Sequence, residues 1–197
     1  RHYQDLTKSR AQYLPLLKLR VDENPDDVAS WSYYMRELMY VADYDTMFRY
    51  FDMLRAKSFD GTEWAWCLIW LATAYQNTGN NSKAMELLFE SILIDKRFRT
   101  PYVVLATILN EEKKYSLAEG VLKQALLDTD PTTRAVFLDA EDIWSWRLYD
   151  WLYAVCVNQH KNEEALKWIT LALVEKPDNP ILQAHYQSCI KVLQESR

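Results

Sequence analysis

The chain has three glycines in 197 residues, too few for a fold built on tight turns and in keeping with one rich in helix. It has no run near the roughly 18 uninterrupted apolar residues of a membrane span, so a membrane is not an expected partner and the chain reads as soluble. It lacks positive charge: the formal net charge is −5 and no basic face is evident to neutralise phosphates, which excludes a nucleic-acid partner. Cysteine is sparse and odd in number. Cys67, Cys156 and Cys189 form no CxxC pair, which fits free thiols in a reducing compartment, the cytoplasm, rather than a disulfide framework. There is also no phosphate loop, no GxSxG and no nucleophile beside a base, so no catalysis is expected of this stretch. Finally, it opens on Arg1 with no signal-peptide pattern, and reads as a piece of something longer.

What is present is a pattern. Ala84 is preceded by Leu68, Leu71, Ala72 and Tyr75, then Gly79, and followed by Leu88; Ala118, 34 residues on, has Tyr102, Leu105, Ala106 and Leu109 at the first four offsets and Leu122 at the last. The frame recurs around Ala165, with Tyr149, Leu152, Tyr153 and Cys156 before it and Ile169 after. Apolar residues at i, i+3, i+4 and i+7 on both sides of a short polar turn describe a helical hairpin that cannot bury its own apolar face, so hairpins must stack. The small residue in each second helix marks where another helix crosses at roughly 8–10 Å. Gly79 falls just past a helix end, where a left-handed conformation costs glycine little.

With these residues the chain resembles the tetratricopeptide repeats, whose aromatic, Leu, small, Tyr, small, aromatic, small, Pro pattern recurs every 34 residues. Repeats fall near residues 28–61, 65–98, 99–132 and 146–179, the first looser because Met47 replaces the small residue. The resemblance implies an all-α, right-handed α-solenoid of about four helical hairpins. An N-terminal helix in a linker, residues 1–27, would precede the array at 28–197, and a capping helix at 180–195 would close it. Pro25, Pro177 and Pro180 stand at joints, where proline stops one helix and opens the next.

A second resemblance lies in the layout. Ala118 to Ala165 is 47 residues, 13 more than the repeat, and the extra residues form an insertion at 129–146. A long insertion before the last repeat is similar to the C-terminal repeat region of a group of family 2 glycosyltransferases, and "HYQDLTKSRAQYLPLLKLRVDENPDD" resembles the junction that precedes it, with Lys8 and Arg10 one residue closer than in that family. This implies an upstream nucleotide-sugar domain using Mn²⁺ or Mg²⁺ on hard oxygen ligands, with His2 as a terminal metal ligand. No cofactor is expected within the present stretch. Asp43-x-Asp45 matches a metal-binding Asp-x-Asp literally, but it sits in a turn between helices, where Asp caps. The i,i+4 pairs Cys156/His160 and His185/Cys189 have zinc-compatible spacing, yet packing on repeat helices explains them. The acids Asp128, Asp130, Asp139, Glu141 and Asp142 read as a solvated loop, and Lys96, Arg97 and Arg99 as a solvated connection.

The family pattern directs Ser32, Arg36, Met39, Trp66, Ile69, Thr73, Gln76, Val103, Thr107, Asn110, Asp150 and Asn158 into the groove lined by first helices. Ile69, Val103, Thr73 and Thr107 stand where a carboxylate clamp would carry Lys and Asn. The expected partner is therefore a protein, as a peptide or as a second subunit that could be a homodimer mate, on a mixed apolar and amide groove. Alternatives are a free-standing scaffold and a carbohydrate-acceptor module in which some of the eight tryptophans stack on sugar rings. In the insertion, Val136, Phe137, Leu138, Ile143, Trp144 and Trp146 are too apolar to leave in water. Either Phe137 and Trp144 cover the third hairpin, or Trp144 and Trp146 meet a partner.

Overall fold

A computed structural model of the chain describes residues 13–129 and 141–195. His2 and Phe137 lie outside these residues, as do the start of the linker and the middle of the insertion. The described residues form ten α-helices and a short 3-10 turn, with no strand among them. The chain divides at Asp95/Lys96 into two units. The first holds α1 (Leu14–Glu23), the hairpin α2 (Val28–Tyr40) and α3 (Tyr44–Ala56), and the hairpin α4 (Gly61–Asn77) and α5 (Asn81–Ile94). The second holds α6 (Thr100–Glu111) with α7 (Tyr115–Asp128), the 3-10 turn Glu141–Trp144, α8 (Trp146–Asn158) with α9 (Asn162–Glu175), and α10 (Pro180–Glu195).

The turn of every hairpin has one construction. The residue five before the reference position of the second helix takes a left-handed backbone: Ala42 (φ +58°), Gly79 (+82°), Lys113 (+60°) and His160 (+58°). Its N–H, and that of the next residue, close onto the last carbonyls of the first helix. Gly79 and Asn80 donate to Gln76 and Tyr75 at 2.9 and 2.8 Å, and Lys113 and Lys114 to Asn110 and Leu109 at 3.0 and 2.8 Å. This pattern satisfies carbonyls that a helix end would otherwise leave to water. Only one of the four uses glycine. The other three accept a Cβ penalty of about 1–2 kcal/mol, evidence that the stacked hairpins over-determine the turn.

Second helices start differently in the two units. In the first, Asp43 and Asn80 occupy the N-cap and accept from the N–H of Thr46 and Lys83, each at 3.2 Å. In the second, Lys114 and Lys161 occupy the same position with no side-chain cap. Asp43 therefore does what a turn Asp does, and the literal Asp-x-Asp match is a cap.

The expected small residues, Ala84, Ala118 and Ala165, are wholly buried, and so is Met47, whose flexible thioether fills the same place in the loosest repeat. Trp31 shows how the joint before α2 is fixed. Its indole N–H donates to the Pro25 carbonyl at 3.0 Å, so a buried polar group is satisfied by the proline-bearing turn. Pro180 opens α10. That helix lays Leu182 and Cys189 onto Tyr153, Ile169 and Ala172, closing the apolar face of the second unit.

The connection before α6 corrects one expectation. Arg99 is not solvated but 4% exposed. Its Nε donates to Thr129 Oγ1 at 2.8 Å, its Nη1 to the carbonyls of Ile143 and Trp144 at 3.3 and 3.2 Å, and its guanidinium stands 4.5 Å from the Trp144 ring. Arg99 thus grips both described ends of the insertion at once. A buried guanidinium needs such satisfaction, and a lysine with its single point charge would not supply the fork.

Candidate functional site

In the first unit the outward stripe of α2 is Tyr33, Arg36 and Tyr40, spaced i, i+3, i+7, with the two tyrosines 46% and 48% exposed. Tyr40 adjoins the half-buried Trp70 of α4, ring centroids 6.1 Å apart, and Trp70 lies 5.3 Å from Trp66. Arg36 donates through Nε and Nη2 to Glu37 Oε1 at 3.0 and 2.9 Å, while its guanidinium stands 5.2 Å from the Tyr33 ring. Thr73 is half-buried and turns its hydroxyl back to the Ile69 carbonyl at 2.9 Å; Gln76 is half-buried. Two expected groove residues offer no surface. Trp66 is 1% exposed and Ile69 not at all, because the apolar face of α4 is wider than the repeat pattern implies and takes them into the core. Ser32 is buried for the same reason on α2.

In the second unit Val103 is buried, and Thr107 donates its hydroxyl to the Val103 carbonyl at 2.9 Å. Asn158 Nδ2 donates to Asn110 Oδ1 at 2.9 Å, a side-chain bond that ties α8 to α6 through two of the expected groove residues. Asp150 faces His185 of α10, whose Nδ1 lies 3.1 Å from Asp150 Oδ1 and whose ring stacks on Tyr153 at 4.8 Å. Trp144 is half-buried on Arg99. Trp146 is half-buried between Arg147 and Lys176, 5.3 and 5.2 Å from its ring, and packs on the α8–α9–α10 core.

The densest cluster of charge was not anticipated. Glu119 of α7 is 5% exposed; Lys123 and Lys161 reach it at 2.6 Å each and Gln159 at 2.7 Å, and Lys123 also reaches Glu164 at 2.6 Å. Burial pushes the Glu119 carboxyl up, but the hydrogen bonds from the two lysines and the glutamine outweigh it and bring it to about 2. Oxygens of Glu119 and Glu164 and the Cys156 sulfur lie within 4.8 Å of one another, a spacing a metal could use. The donor chemistry does not fit one. Both carboxylates are already neutralised by lysines, and burial together with those carboxylates pushes the Cys156 thiol up to about 11, keeping its proton. Cys189 donates to the Asn162 carbonyl at 3.3 Å rather than pairing with His185. All three cysteines are free and buried.

Tyr33 and Trp70 had a signal. Each stands fourteen residues before its reference position, Met47 or Ala84, and each is aromatic. Glu119 had none, since a Glu one residue past a reference Ala looks like any helix-surface acid.

Several solved structures are similar to this chain in fold. The chain superposes on TTC0263, a thermophilic TPR protein of Thermus thermophilus, with a TM-score of 0.62 over 92% of this chain and 90% of that one, at 18% identity. The chain has the tetratricopeptide-repeat fold. YrrB, a TPR protein with an unusual peptide-binding site, matches with a TM-score of 0.62 at 13% identity, covering 91% of this chain and 84% of that one. The first TPR of Spaghetti (RPAP3), bound to the HSP90 peptide SRMEEVD, matches with 0.57 at 17% identity over 68% and 97%. No family model and no curated protein sequence matches the chain.

Proposed function

We propose that this chain is a protein-interaction module that holds an extended peptide on a face presented by the first helices within one of its two units. The observation that carries the reading is the exposed stripe Tyr33, Arg36 and Tyr40 beside Trp70, aromatic and Arg side chains of the kind that dominate binding energy when a partner covers them. Arg36, Thr73 and Gln76 in the first unit, and Thr107, Asn110, Asp150 and Asn158 in the second, are the expected site residues that retain some surface. Of the similar structures, YrrB has a peptide-binding site and the first TPR of Spaghetti holds a peptide, which supports the class of ligand without naming it. No helix among the described residues is long and apolar enough to cross a membrane.

The test is selection from a random peptide library on the purified chain, followed by Thr73→Arg and Thr107→Arg, which block the two faces without emptying the core. Selected peptides should lose binding to one variant or the other. Failure to select any peptide, or binding indifferent to both variants, overturns the reading. A second subunit as occupant would instead show as concentration-dependent sedimentation that the same variants abolish.

The layout of the insertion and of the segment before α2 supports a finer reading, that the parent protein is a family 2 glycosyltransferase working in the cytoplasm. A nucleotide sugar and Mn²⁺ or Mg²⁺ would then bind upstream, beside His2. None of the structures named above is a glycosyltransferase, so this rests on sequence layout. The reading frame upstream of Arg1 tests it: it must encode a nucleotide-binding α/β domain.

A further inference from the structure

The charge of the first unit indicates what kind of peptide its face would take. Residues 1–95 hold ten Lys and Arg against fourteen Asp and Glu, which places −4 of the chain's −5 in this unit. On α2 and α4 themselves the only basic side chain is Arg36, and it is occupied twice, bonded to Glu37 and packed on Tyr33. Glu37 is 4% exposed, so this pairing is held in the protein rather than exchanged with water. A carboxylate-bearing ligand would find no available cation on these helices and an opposing field from the rest of the unit.

A cationic ligand meets the opposite situation. Tyr33, still 46% exposed with Arg36 packed on it, and Tyr40 and Trp70 offer ring surface in partial water, the setting in which a guanidinium or ammonium is attracted to an aromatic ring. Tyr40 ends α2, where carbonyl dipoles favour positive charge, and the exposed Asp43 follows three residues on. Seven residues of helix separate Tyr33 from Tyr40, about 10.5 Å along the axis. Three residues of a polyproline II chain, which return a side chain to the same face, span nearly that distance, about 9 Å.

Resting on the peptide-binding reading above, we infer that the α2–α4 face binds a basic extended peptide, with Lys or Arg side chains three residues apart seated on Tyr33 and on the Tyr40–Trp70 pair. Attraction is electrostatic and aromatic together, so affinity falls with salt.

The test is calorimetric titration of the whole chain with three capped dodecapeptides of one framework, (Xaa-Ala-Pro) four times, Xaa being Arg, Gln or Glu, and with cellohexaose. The Arg peptide should bind about tenfold more tightly than the Gln peptide at low salt, and the Glu peptide more weakly still. The double variant Tyr33→Ala/Tyr40→Ala should lose about tenfold for the Arg peptide, whereas Tyr33→Phe/Tyr40→Phe keeps the rings and the binding. Circular dichroism checks that each variant is folded. Equal or tighter binding of the Gln or Glu peptide, still lost in the Ala variant, overturns the basic partner while leaving the peptide-binding function standing. Binding of cellohexaose that the Ala variant loses overturns it in favour of a sugar. No binding of any peptide, or Arg-peptide binding indifferent to the Ala variant, overturns the inference outright; the library selection on the two blocked faces decides the broader function separately.

Discussion

In the first unit, Phe48 stacks on Tyr75, ring centroids 4.3 Å apart and planes 20° from parallel. In the second unit the same two frame positions hold Glu119 and Cys156, and the contact between successive hairpins is made by a buried carboxylate with two lysines and a glutamine. The fold accepts either because the backbone requires only that the space be filled and every polar atom satisfied. The two solutions differ in their response to solvent. Aromatic stacking is insensitive to pH and salt, whereas the Glu119 network depends on a charge. Lys161 illustrates a trade: at the N-cap position it cannot cap α9, but its ammonium reaches Glu119 instead. The first unit caps its second helices with Asp43 and Asn80 and uses rings between hairpins.

The largest effect should come from breaking the charged contact. Glu119→Ala is expected to cost about 2–3 kcal/mol at pH 7, since the carboxyl's folded value lies well below its ordinary 4.5. Because that value is depressed by folding, the stabilisation is complete above pH 4.5 and lost as pH falls towards 2. Urea titrations should therefore show the variant and the parent converging between pH 4.5 and 2; a constant gap would mean that Glu119 acts by packing alone. Phe48→Ala, which removes a half-buried stacked ring, is expected to cost about 2 kcal/mol. That loss should be the same at about pH 4 and about pH 7, and in about 0.05 M and about 0.5 M salt, conditions that span weak and strong screening. Dependence on either would erase the contrast between the units.

Smaller changes can make the second unit more like the first. Lys114 has φ −86° and ψ 54°, close to Asp43 (−84°, 66°) and Asn80 (−90°, 66°), so its backbone already suits a cap. Lys114→Asp should stabilise by about 0.5 kcal/mol, read as a rise in melting temperature, because its carboxylate suits the helix N-terminus and adds an acceptor for the Leu117 N–H, while the exposed ion pair with Glu112 that it removes contributes little. Lys113→Gly relieves a left-handed residue and should add about 0.5 kcal/mol after the entropic cost of glycine, with Gly79→Ala destabilising by a similar or larger amount as its mirror.

Much of the architecture was legible in the 34-residue spacing. The reference alanines, the left-handed Gly79 and the Asp43 cap follow from periodicity and from backbone chemistry local to a few residues. Which side chains of the first helices keep surface was legible only in part. Arg36, Thr73 and Asn110 keep surface, but Trp66 and Ile69 are interior. Successive helix residues are rotated by about 100°, so a single position separates groove from core, and a repeat pattern does not resolve where a wide apolar face ends. His185, expected to pack rather than to bind zinc with Cys189, meets Asp150 from another helix and stacks on Tyr153.

By itself the sequence determined which segments are helices, where they turn and which small residues let them cross, because those depend on short-range sterics and on apolar spacing within one hairpin. Only the tertiary structure decided that Arg99 is buried against Thr129, Ile143 and Trp144, that Glu119 is shared by Lys123 and Lys161, and that Arg36 is held by its neighbour Glu37. The reason is physical: the worth of a charge is set by what surrounds it. For Arg99 and Glu119 those surroundings are assembled largely from residues distant in the chain, and for Glu37 from the burial that stacking imposes.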